Sequence, residues 1–180
     1  ENINALKKYD ISFIGSWHPH REWILNKLIQ KGYNVYIAGS NWNNSTISFE
    51  EMIKIFNQSN INLNLSNSAH WNFNYFFSSW NSIKNTIFSP KQKEQLKARN
   101  FEIGSTNNFV ISYFFKQHKY FFKPNKELIE FNNINDLDNK CKYYLDNPMI
   151  RKKLSENLKT KIYKDFQYVN MFKNLIKKIF

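Results

Sequence analysis

An alternation of strand-like and helix-like segments fills the first part of the chain and limits its fold more than any other feature. Short apolar runs typical of buried strands lie at 10–15, 34–39 and 61–65. Segments with helical periodicity separate them at 20–30 and 48–59. Strands that alternate with helices in this way pair in parallel through right-handed crossovers. We therefore expect an α/β fold with a Rossmann-like parallel sheet and flanking helices.

Local signals mark where several of these helices begin and end. Gly32 follows the first helix as a stop signal. Ser48 with Glu51 three residues later is a capping-box pattern. Asn147 followed by Pro148 is typical of a helix start, with Asn as the cap and Pro in the first position.

The second half of the chain predicts further strands and a helical C-terminus. The predicted elements are a helix around 93–103, strands at 109–113 and 128–131, and helices at 135–146, from 148 onward and at roughly 166–180. No internal repeat and no Gly/Pro/Ser-rich linker divides the sequence. We expect one Rossmann-like domain over residues 1–180. Because the sequence opens at Glu1 rather than Met, we also expect it to be one domain or a fragment of a larger protein.

Residues 66–92 interrupt the alternation. They are rich in Asn, Ser and aromatic side chains. A structureless loop of this length is unusual inside a compact domain. The segment is therefore either an ordered insertion or a flap that faces a partner.

The charge of the chain is strongly positive. Its formal net charge is +12, and residues 151–180 alone carry nine Lys or Arg against two acidic residues. Such a surface attracts phosphates, nucleic acid or an acidic membrane face, or it simply keeps the protein soluble.

The single cysteine, Cys141, excludes an internal disulfide and a cysteine-cluster metal site. It favours a reducing, cytoplasmic setting. No apolar stretch approaches the roughly 20 residues that a membrane-spanning helix needs.

Ligands of open parallel sheets bind beyond the carboxyl ends of the strands, where three segments converge. The first contains Gly15, Ser16, His18, His20 and Arg21, at the end of a strand and the start of a helix. Helix N-termini suit phosphate, and an anionic ligand would offset the unfavourable position of Arg21 in the first turn. Alternatively Arg21 points to water. The two histidines are either acid/base groups or caps.

The second segment contains Trp42 among asparagines, after the second strand. Trp42 either packs beside a base or sugar, or anchors its loop as a buried side chain.

The third segment contains Glu94, Lys97, Arg99 and Glu102. Eight residues of helix rotate by about 800°, so the two glutamates do not share one face of a continuous helix. They converge if the helix begins between them, with Lys97 and Arg99 near its start. A carboxylate there suits the two adjacent hydroxyls of a ribose. The alternative is an exposed charged helix with a Glu94–Lys97 pair.

Several sequence segments, in this order, carry a resemblance to a known family. They are "ISFIGS" (11–16) followed by Arg21, "INLNLS" (61–66), "QLKARNFEI" (95–103), "FVIS" (109–112), "FKPNKELIEF" (122–131), "DLDNKCKYYLDNPMIRKKLSENL" (136–158) and "FQYVNMF" (166–172). With them the chain resembles the C-terminal, nucleotide-sugar-binding half of GT-B glycosyltransferases, and more narrowly the group-1 domain of CgeB-like proteins. The most specific piece is Arg99-x-Phe101-Glu102 before an apolar strand.

The resemblance implies roles for individual residues. Glu102 matches the glutamate that binds the nucleotide ribose, and Glu94 matches the first glutamate of the E-x7-E motif, which faces the donor sugar in related retaining enzymes. Arg21, Lys97 and Arg99 look like diphosphate contacts. The implied donor is a nucleotide-diphosphate sugar, without a cofactor or a metal ion. The implied acceptor is a glycan, lipid or protein, bound with the help of an N-terminal GT-B domain that this sequence lacks.

Two positions depart from the family pattern. Asn107-Asn108 stands where relatives usually have a Gly pair that lies close to the ligand, and Asn tolerates the left-handed conformation best among the other residues. Tyr113-Phe114 stands where relatives often have an acidic-aromatic pair.

Three functions follow as hypotheses. The first is a glycosyltransferase donor-binding domain, cytoplasmic or peripheral at the inner face of the membrane, which binds donor better than it turns it over when alone. The second is a non-catalytic, glycosyltransferase-like interaction module. The third, a basic nucleic-acid-binding domain, has no RNA-binding motif to support it, so we expect no nucleic-acid partner.

Overall fold

A five-stranded parallel sheet forms the centre of the fold. The computed structural model describes residues 6–43, 46–65, 67–68, 72–91 and 95–167. The strands are β1 (Tyr9–Ile14), β2 (Val35–Ala38), β3 (Ser59–Asn64), β4 (Val110–Tyr113) and β5 (Ile129–Phe131), in the spatial order β2-β1-β3-β4-β5. All neighbouring pairs are parallel. The expected Rossmann-like α/β fold is confirmed.

Helices cover both faces of this sheet. They are α1 (Pro19–Gln30), α2 (Phe49–Gln58), α3 (Phe73–Phe76), α4 (Trp80–Phe88), α5 (Arg99–Ser105), α6 (His118–Phe121), α7 (Ile134–Asp146) and α8 (Pro148–Asp165). Apolar side chains of α1 and α7 form one core cluster with the sheet, and those of α2, α5 and α8 form a second cluster on the other face. Among the described residues, no helix is long and apolar enough to cross a membrane.

The helix boundaries agree with the local signals in most places. The Ser48 hydroxyl accepts a hydrogen bond from Glu51 N at 3.1 Å and caps α2, and Gly32 adopts φ +91° after α1. The helix expected around 93–103 instead begins at Arg99, after Ala98, which provides no side-chain cap. The four-residue helix α6 was not expected. Most of the helix expected at 166–180 lies outside the described residues.

The described part of 66–92, called the insertion below, forms the helices α3 and α4 and packs on α1. Tyr75 of α3 is fully buried, with its ring 4.9 Å from that of His20 and 5.7 Å from that of Trp23. Its hydroxyl donates to Asn85 Oδ1 at 3.0 Å, which ties α3 to α4. Burial raises the pKa of Tyr75 to about 12, so the hydroxyl keeps its proton at neutral pH.

The two faces of the sheet differ in polarity. Buried strands covered on both faces are normally apolar throughout, but the face toward α2, α5 and α8 carries buried polar side chains. Ser12 donates to Asn62 Oδ1 at 2.7 Å, and Asn62 Nδ2 donates to Phe109 O at 3.2 Å. Asn64 Nδ2 lies 3.4 Å from Ser112 Oγ on the next strand. Because these groups are hydrogen-bonded, their burial is tolerated, and they fix the register of β1, β3 and β4.

Candidate functional site

The site lies at the carboxyl ends of β1 and β3. In the strand order β2-β1-β3-β4-β5, β2 lies on one side of β1 and β3 lies on the other. The connections that leave β1 and β3 therefore run in opposite directions, and a crevice opens between the carboxyl ends of these two strands. The loops after β1 and β3 and the first turns of α1, α2, α5 and α7 all face this edge, because each of these helices begins on the carboxyl side of the sheet.

Close backbone packing shapes the end of β1. A Cβ atom on Gly39, which has φ +135°, would lie 2.2 Å from Gly15 O, so only Gly permits this approach. Trp42 Nε1 donates to the same Gly15 oxygen at 2.8 Å, and the Trp42 ring packs edge-on against Phe13. Trp42 is therefore an anchor of its loop, the second of the two alternatives. Gly15 and Ser16 lie at the predicted edge.

Arg21 joins the two loops of the crevice. Its side chain is buried and donates from Nη1 to Ser16 O and Oγ at 2.8 and 3.0 Å. Nε and Nη2 donate to Leu65 O at 3.2 and 2.9 Å. The guanidinium carbon lies 5.3 Å from the centre of the Phe13 ring. The alternative that Arg21 points to water is wrong, because the backbone carbonyls at the ends of both strands accept its hydrogen bonds.

The two histidines of the first segment have structural contacts. His18 is the N-cap of α1, with Nδ1 accepting from His20 N at 3.4 Å and Nε2 lying 3.0 Å from Asn85 Nδ2. His20 is buried and packs against the rings of Trp23, Tyr75 and Tyr113. The structure thus places His18 as a cap and as a link to the insertion.

Lys97 lies beside the end of β3, in the turn before α5. Its Nζ donates to Asn67 Oδ1 at 2.6 Å. Lys97 also lines a cavity of about 10 Å³, together with Leu65, Ser112 and His118. The carbonyl of this Leu65 accepts the hydrogen bonds of Arg21. A cavity of this size holds about one water molecule. Lys97 therefore lies at the same end of β3 as the Leu65 carbonyl that Arg21 binds.

Glu102 lies in the first turn of α5. Because α5 begins at Arg99, between the two glutamates, Glu102 is carried to the carboxyl edge. Its Oε2 forms an ion pair of 2.6 Å with Arg99 Nη1, and 38% of the side chain stays exposed. Arg99 also contacts the Met52 sulphur and lies 5.9 Å from the centre of the Phe56 ring, so α2 orients it. Glu94 lies outside the described residues.

A buried polar network that the sequence analysis missed supports this helix. His118 Nε2 lies 3.2 Å from Asn100 Nδ2, and His118 Nδ1 lies 2.6 Å from Glu130 Oε1. Since an amide nitrogen only donates, Nε2 accepts and Nδ1 donates to Glu130. Asn100 Oδ1 in turn accepts from Asn64 Nδ2 at 2.7 Å. The network connects β3, α5, α6 and β5. It fixes Asn100, which lies on α5 between Arg99 and Phe101.

One sequence signal could have revealed this network. The strand around Leu63 reads "INLNL", in which Asn62 and Asn64 alternate with apolar residues. Asn inside a strand buried on both faces requires hydrogen-bonding partners from covering elements. The identity of those partners, Asn100 of α5 among them, depends on the tertiary fold, and so does the contact of Asn100 with His118.

Asn107 and Asn108 lie at the opposite edge of the sheet. They precede β4, so they stand at its amino end, whereas Glu102 stands at the carboxyl edge. Asn107 adopts φ +61°, as expected for an Asn in a left-handed turn. Asn108 Nδ2 donates to Asn57 Oδ1 at 2.8 Å, at the end of α2. The structure does not bring this pair together with the other candidate residues.

A second cavity opens at the carboxyl edge, on the side of α1 and α7. Its volume is about 130 Å³, and its lining includes His20, Trp23, Tyr113, Asn132 and Asn133. Aromatic faces beside amide groups suit a flat, hydrogen-bonding ligand group. Tyr113 thus lines this cavity and also packs against the apolar core, with its ring 5.0 Å from that of Phe131.

Comparison with known proteins gives the family of this chain. A family model described as glycosyl transferase-like matches residues 20–177. No curated protein sequence matches the chain significantly.

Solved glycosyltransferase structures share the fold at low sequence identity. Sucrose-phosphate synthase from Thermosynechococcus elongatus matches 93% of this chain with a TM-score of 0.56 and 14% identity. A TarM mutant from S. aureus, in complex with fondaparinux, alpha-GlcNAc-glycerol and UDP, matches 96% with a TM-score of 0.61 and 13% identity. The C-terminal domain of the group 1 glycosyl transferase LpcC from Francisella tularensis matches 91% with a TM-score of 0.57 and 11% identity.

The coverage of these structures shows which part of the fold this chain forms. The chain spans 38% of the synthase and 36% of TarM, but 88% of the isolated LpcC C-terminal domain. It therefore has the architecture of the C-terminal half of a GT-B fold, and, with a family model that matches most of its length, the chain belongs to the glycosyl transferase-like family.

Proposed function

We propose that this domain binds the donor of a glycosyltransferase that moves a sugar from a nucleotide-diphosphate sugar to an acceptor. The observation that carries the proposal is the position of Glu102. Its partly exposed carboxylate stands in the first turn of α5, at the carboxyl edge and beyond the strand ends that Arg21 joins. Ligands of such sheets bind at this edge.

Each candidate residue has a proposed role toward the donor. Glu102 accepts hydrogen bonds from the two ribose hydroxyls, which a carboxylate does well because it offers two acceptor oxygens. Lys97, with the backbone of Gly15 and Ser16, binds the diphosphate. Arg21 orders the crevice and contributes positive charge from its buried position.

The proposed catalytic effect is electrostatic. Negative charge builds on the diphosphate as the bond to the sugar breaks, and prearranged cations and N–H groups stabilise that charge. Lys97, Arg21 and Arg99 would supply this stabilisation without a metal ion. Glu94, assigned from the sequence motif alone, would face the donor sugar.

The acceptor and the rest of the enzyme are also part of the proposal. A glycan, lipid or protein acceptor would bind against an N-terminal GT-B domain, in a cytoplasmic enzyme of the CgeB-like group. The TarM structure with UDP and alpha-GlcNAc-glycerol supports the general substrate class, since its fold matches this chain.

A non-catalytic module is the second candidate. The observation that favours it is Arg21, because four of its hydrogen bonds already go to Ser16 and Leu65. Such a protein would keep the fold and the crevice without binding a donor.

Thermal denaturation in the presence of each member of a panel of nucleotides and nucleotide sugars distinguishes the donor-binding domain from the non-catalytic module. A true ligand raises the melting temperature by mass action, so we expect a rise with nucleotide-diphosphate sugars of one base and with the matching nucleoside diphosphate. No rise with any member, together with a stable complex in pull-down, would support the non-catalytic module. Steeply salt-dependent binding to oligonucleotides alone would instead point to nucleic acid.

A further inference from the structure

The insertion helix α4 buries polar side chains and exposes large apolar ones. Its side toward the protein carries small hydroxyl side chains, and Ser82, Thr86 and Ser89 are all buried. Surface helices normally bury their apolar stripe and expose their polar one. Of the apolar residues of α4, Ile83 is half-buried, whereas Trp80, Ile87 and Phe88 do not serve the packing of this domain.

The outward side of α4 is apolar and cationic. Trp80 and Phe88 are 79% and 77% exposed, and Ile87 is also exposed. Lys84 and Lys91 are exposed between and after them. The spacing of Trp80, Lys84, Ile87 and Phe88 (i, i+4, i+7, i+8) puts these four on one side of α4, and Lys91 follows three residues after the helix ends.

The neighbouring helix α3 extends this surface. Phe73 and Phe77 are exposed, with ring centres 4.7 Å apart. We call the exposed apolar side chains of α3 and α4 the aromatic ridge; its members are Phe73, Phe77, Trp80, Ile87 and Phe88. Buried Tyr75 holds the ridge against α1, so these side chains are presented by an ordered element.

The charge of residues 72–91 indicates what kind of partner the aromatic ridge binds. Residues 72–91 contain no Asp or Glu, and the whole chain carries +12. Aromatic side chains beside exposed lysines are the composition of helices that lie in a membrane interface, where the rings enter the headgroup region and the lysines meet anionic lipid. A stable protein interface takes about 20–30 residues a side, far more than these two short helices offer.

We propose that the aromatic ridge, with Lys84 and Lys91, docks the domain reversibly on an anionic lipid bilayer. The ridge is separate from the crevice of Glu102 and Arg21. Docking therefore does not depend on donor binding, and either property can fail without the other.

Co-sedimentation of the purified protein with vesicles tests this inference. We expect binding to vesicles of phosphatidylglycerol and phosphatidylcholine in equal parts, and much weaker binding to phosphatidylcholine alone or at high salt. The double variant Trp80→Ser/Phe88→Ser should bind the anionic vesicles at least about tenfold more weakly, because two large apolar side chains no longer leave water. Lys84→Glu should also weaken binding to the anionic vesicles.

The matched control is Phe49→Ser, which removes an aromatic side chain of α2 that is 66% exposed. Its vesicle binding should equal that of the wild type, and all variants should keep the wild-type melting temperature, since they alter exposed positions. Unchanged binding of the double variant, or equal binding to neutral and anionic vesicles, would overturn the proposal. If the wild type forms a dimer and the double variant does not, the proposal is also overturned, because the ridge then binds a second copy of the chain.

Discussion

The guanidinium of Arg21 donates two hydrogen bonds to the carbonyl oxygen of Leu65, 44 residues further along the chain. A third and a fourth go to Ser16. One side chain of α1 thus joins the loops after β1 and β3, the two strand ends that form the crevice. The relative position of these loops depends on Arg21.

Arg21→Lys should destabilise the protein although it keeps the charge. Lys has no planar fork of donors, so at least one buried carbonyl of Ser16 or Leu65 loses its partner. We expect a loss of about 1–3 kcal/mol in the free energy of unfolding, measured in urea. Lys27→Ala, an exposed change on the same helix, is the control and should cost less than about 0.5 kcal/mol. Equal stability of the two variants would show that Arg21 is not a structural link.

Gly104→Ala should destabilise the contact between α5 and α8. A Cβ atom at this position would lie 2.5 Å from Ile162 Cδ1 and 2.6 Å from Leu158 Cγ. Such overpacking costs about 1–3 kcal/mol, visible as a lower melting temperature. Ser105→Ala, one position further on α5, adds no atom and serves as the comparison. A Gly104→Ala protein as stable as the wild type would mean that α8 moves away at little cost.

His118→Phe should weaken both stability and donor binding. Phenylalanine fills the space of the imidazole but leaves the Glu130 carboxylate and the Asn100 amide without this partner. We expect a loss of about 2–4 kcal/mol in unfolding free energy. His118→Gln, which keeps one polar group, should recover part of it. Lys119→Ala at the exposed neighbouring position should behave as the wild type, and a stable His118→Phe would argue against the network.

Asp138 should contribute stability that depends on pH. Burial alone would raise its pKa, but hydrogen bonds from Lys31, Tyr33 and Lys142 outweigh this and lower the pKa from 3.8 to about 2. Its contribution is then present above pH 4 and is lost as the pH falls from about 4 to 2. Over this range the unfolding free energy of the wild type should fall by about 1–2 kcal/mol more than that of Asp138→Asn, measured by urea unfolding at each pH. The effect is no larger because Lys142 is exposed, which weakens its ion pair with Asp138.

Asp146→Asn is the control for this pH dependence, because Asp146 is exposed at the end of α7. Its unfolding free energy should follow the wild-type curve. Parallel curves for wild type and Asp138→Asn would contradict a lowered pKa of Asp138.

The regular parts of the fold could be predicted because their signals are local. The strand–helix alternation, the Ser48 cap and the start of α8 at Pro148 each depend on residues within a few turns, and the structure confirms them. The start of α5 was misplaced because Ala98 gives no capping signal.

The site could be predicted only in part because its partners are distant in sequence. Local order placed Gly15, Ser16, Lys97 and Glu102 at the carboxyl edge. The bonds of Arg21 to the loop after β3, and of His118 to Glu130 and Asn100, require the tertiary fold. Asn107 adopts the left-handed conformation that Asn tolerates, but the direction of α5 puts the Asn107-Asn108 pair at the other edge of the sheet.

Titration calorimetry with nucleoside diphosphates tests the central role of Glu102 most directly. The wild type should bind one nucleoside diphosphate, and Glu102→Gln should bind it at least about tenfold more weakly, because the neutral amide is a poorer acceptor for the ribose hydroxyls. Glu156→Gln, an exposed change on α8, is the control and should bind as the wild type does. The 2′-deoxy nucleotide should lose affinity with the wild type but little further with Glu102→Gln. Equal affinity of wild type and Glu102→Gln for the same nucleoside diphosphate would contradict the account.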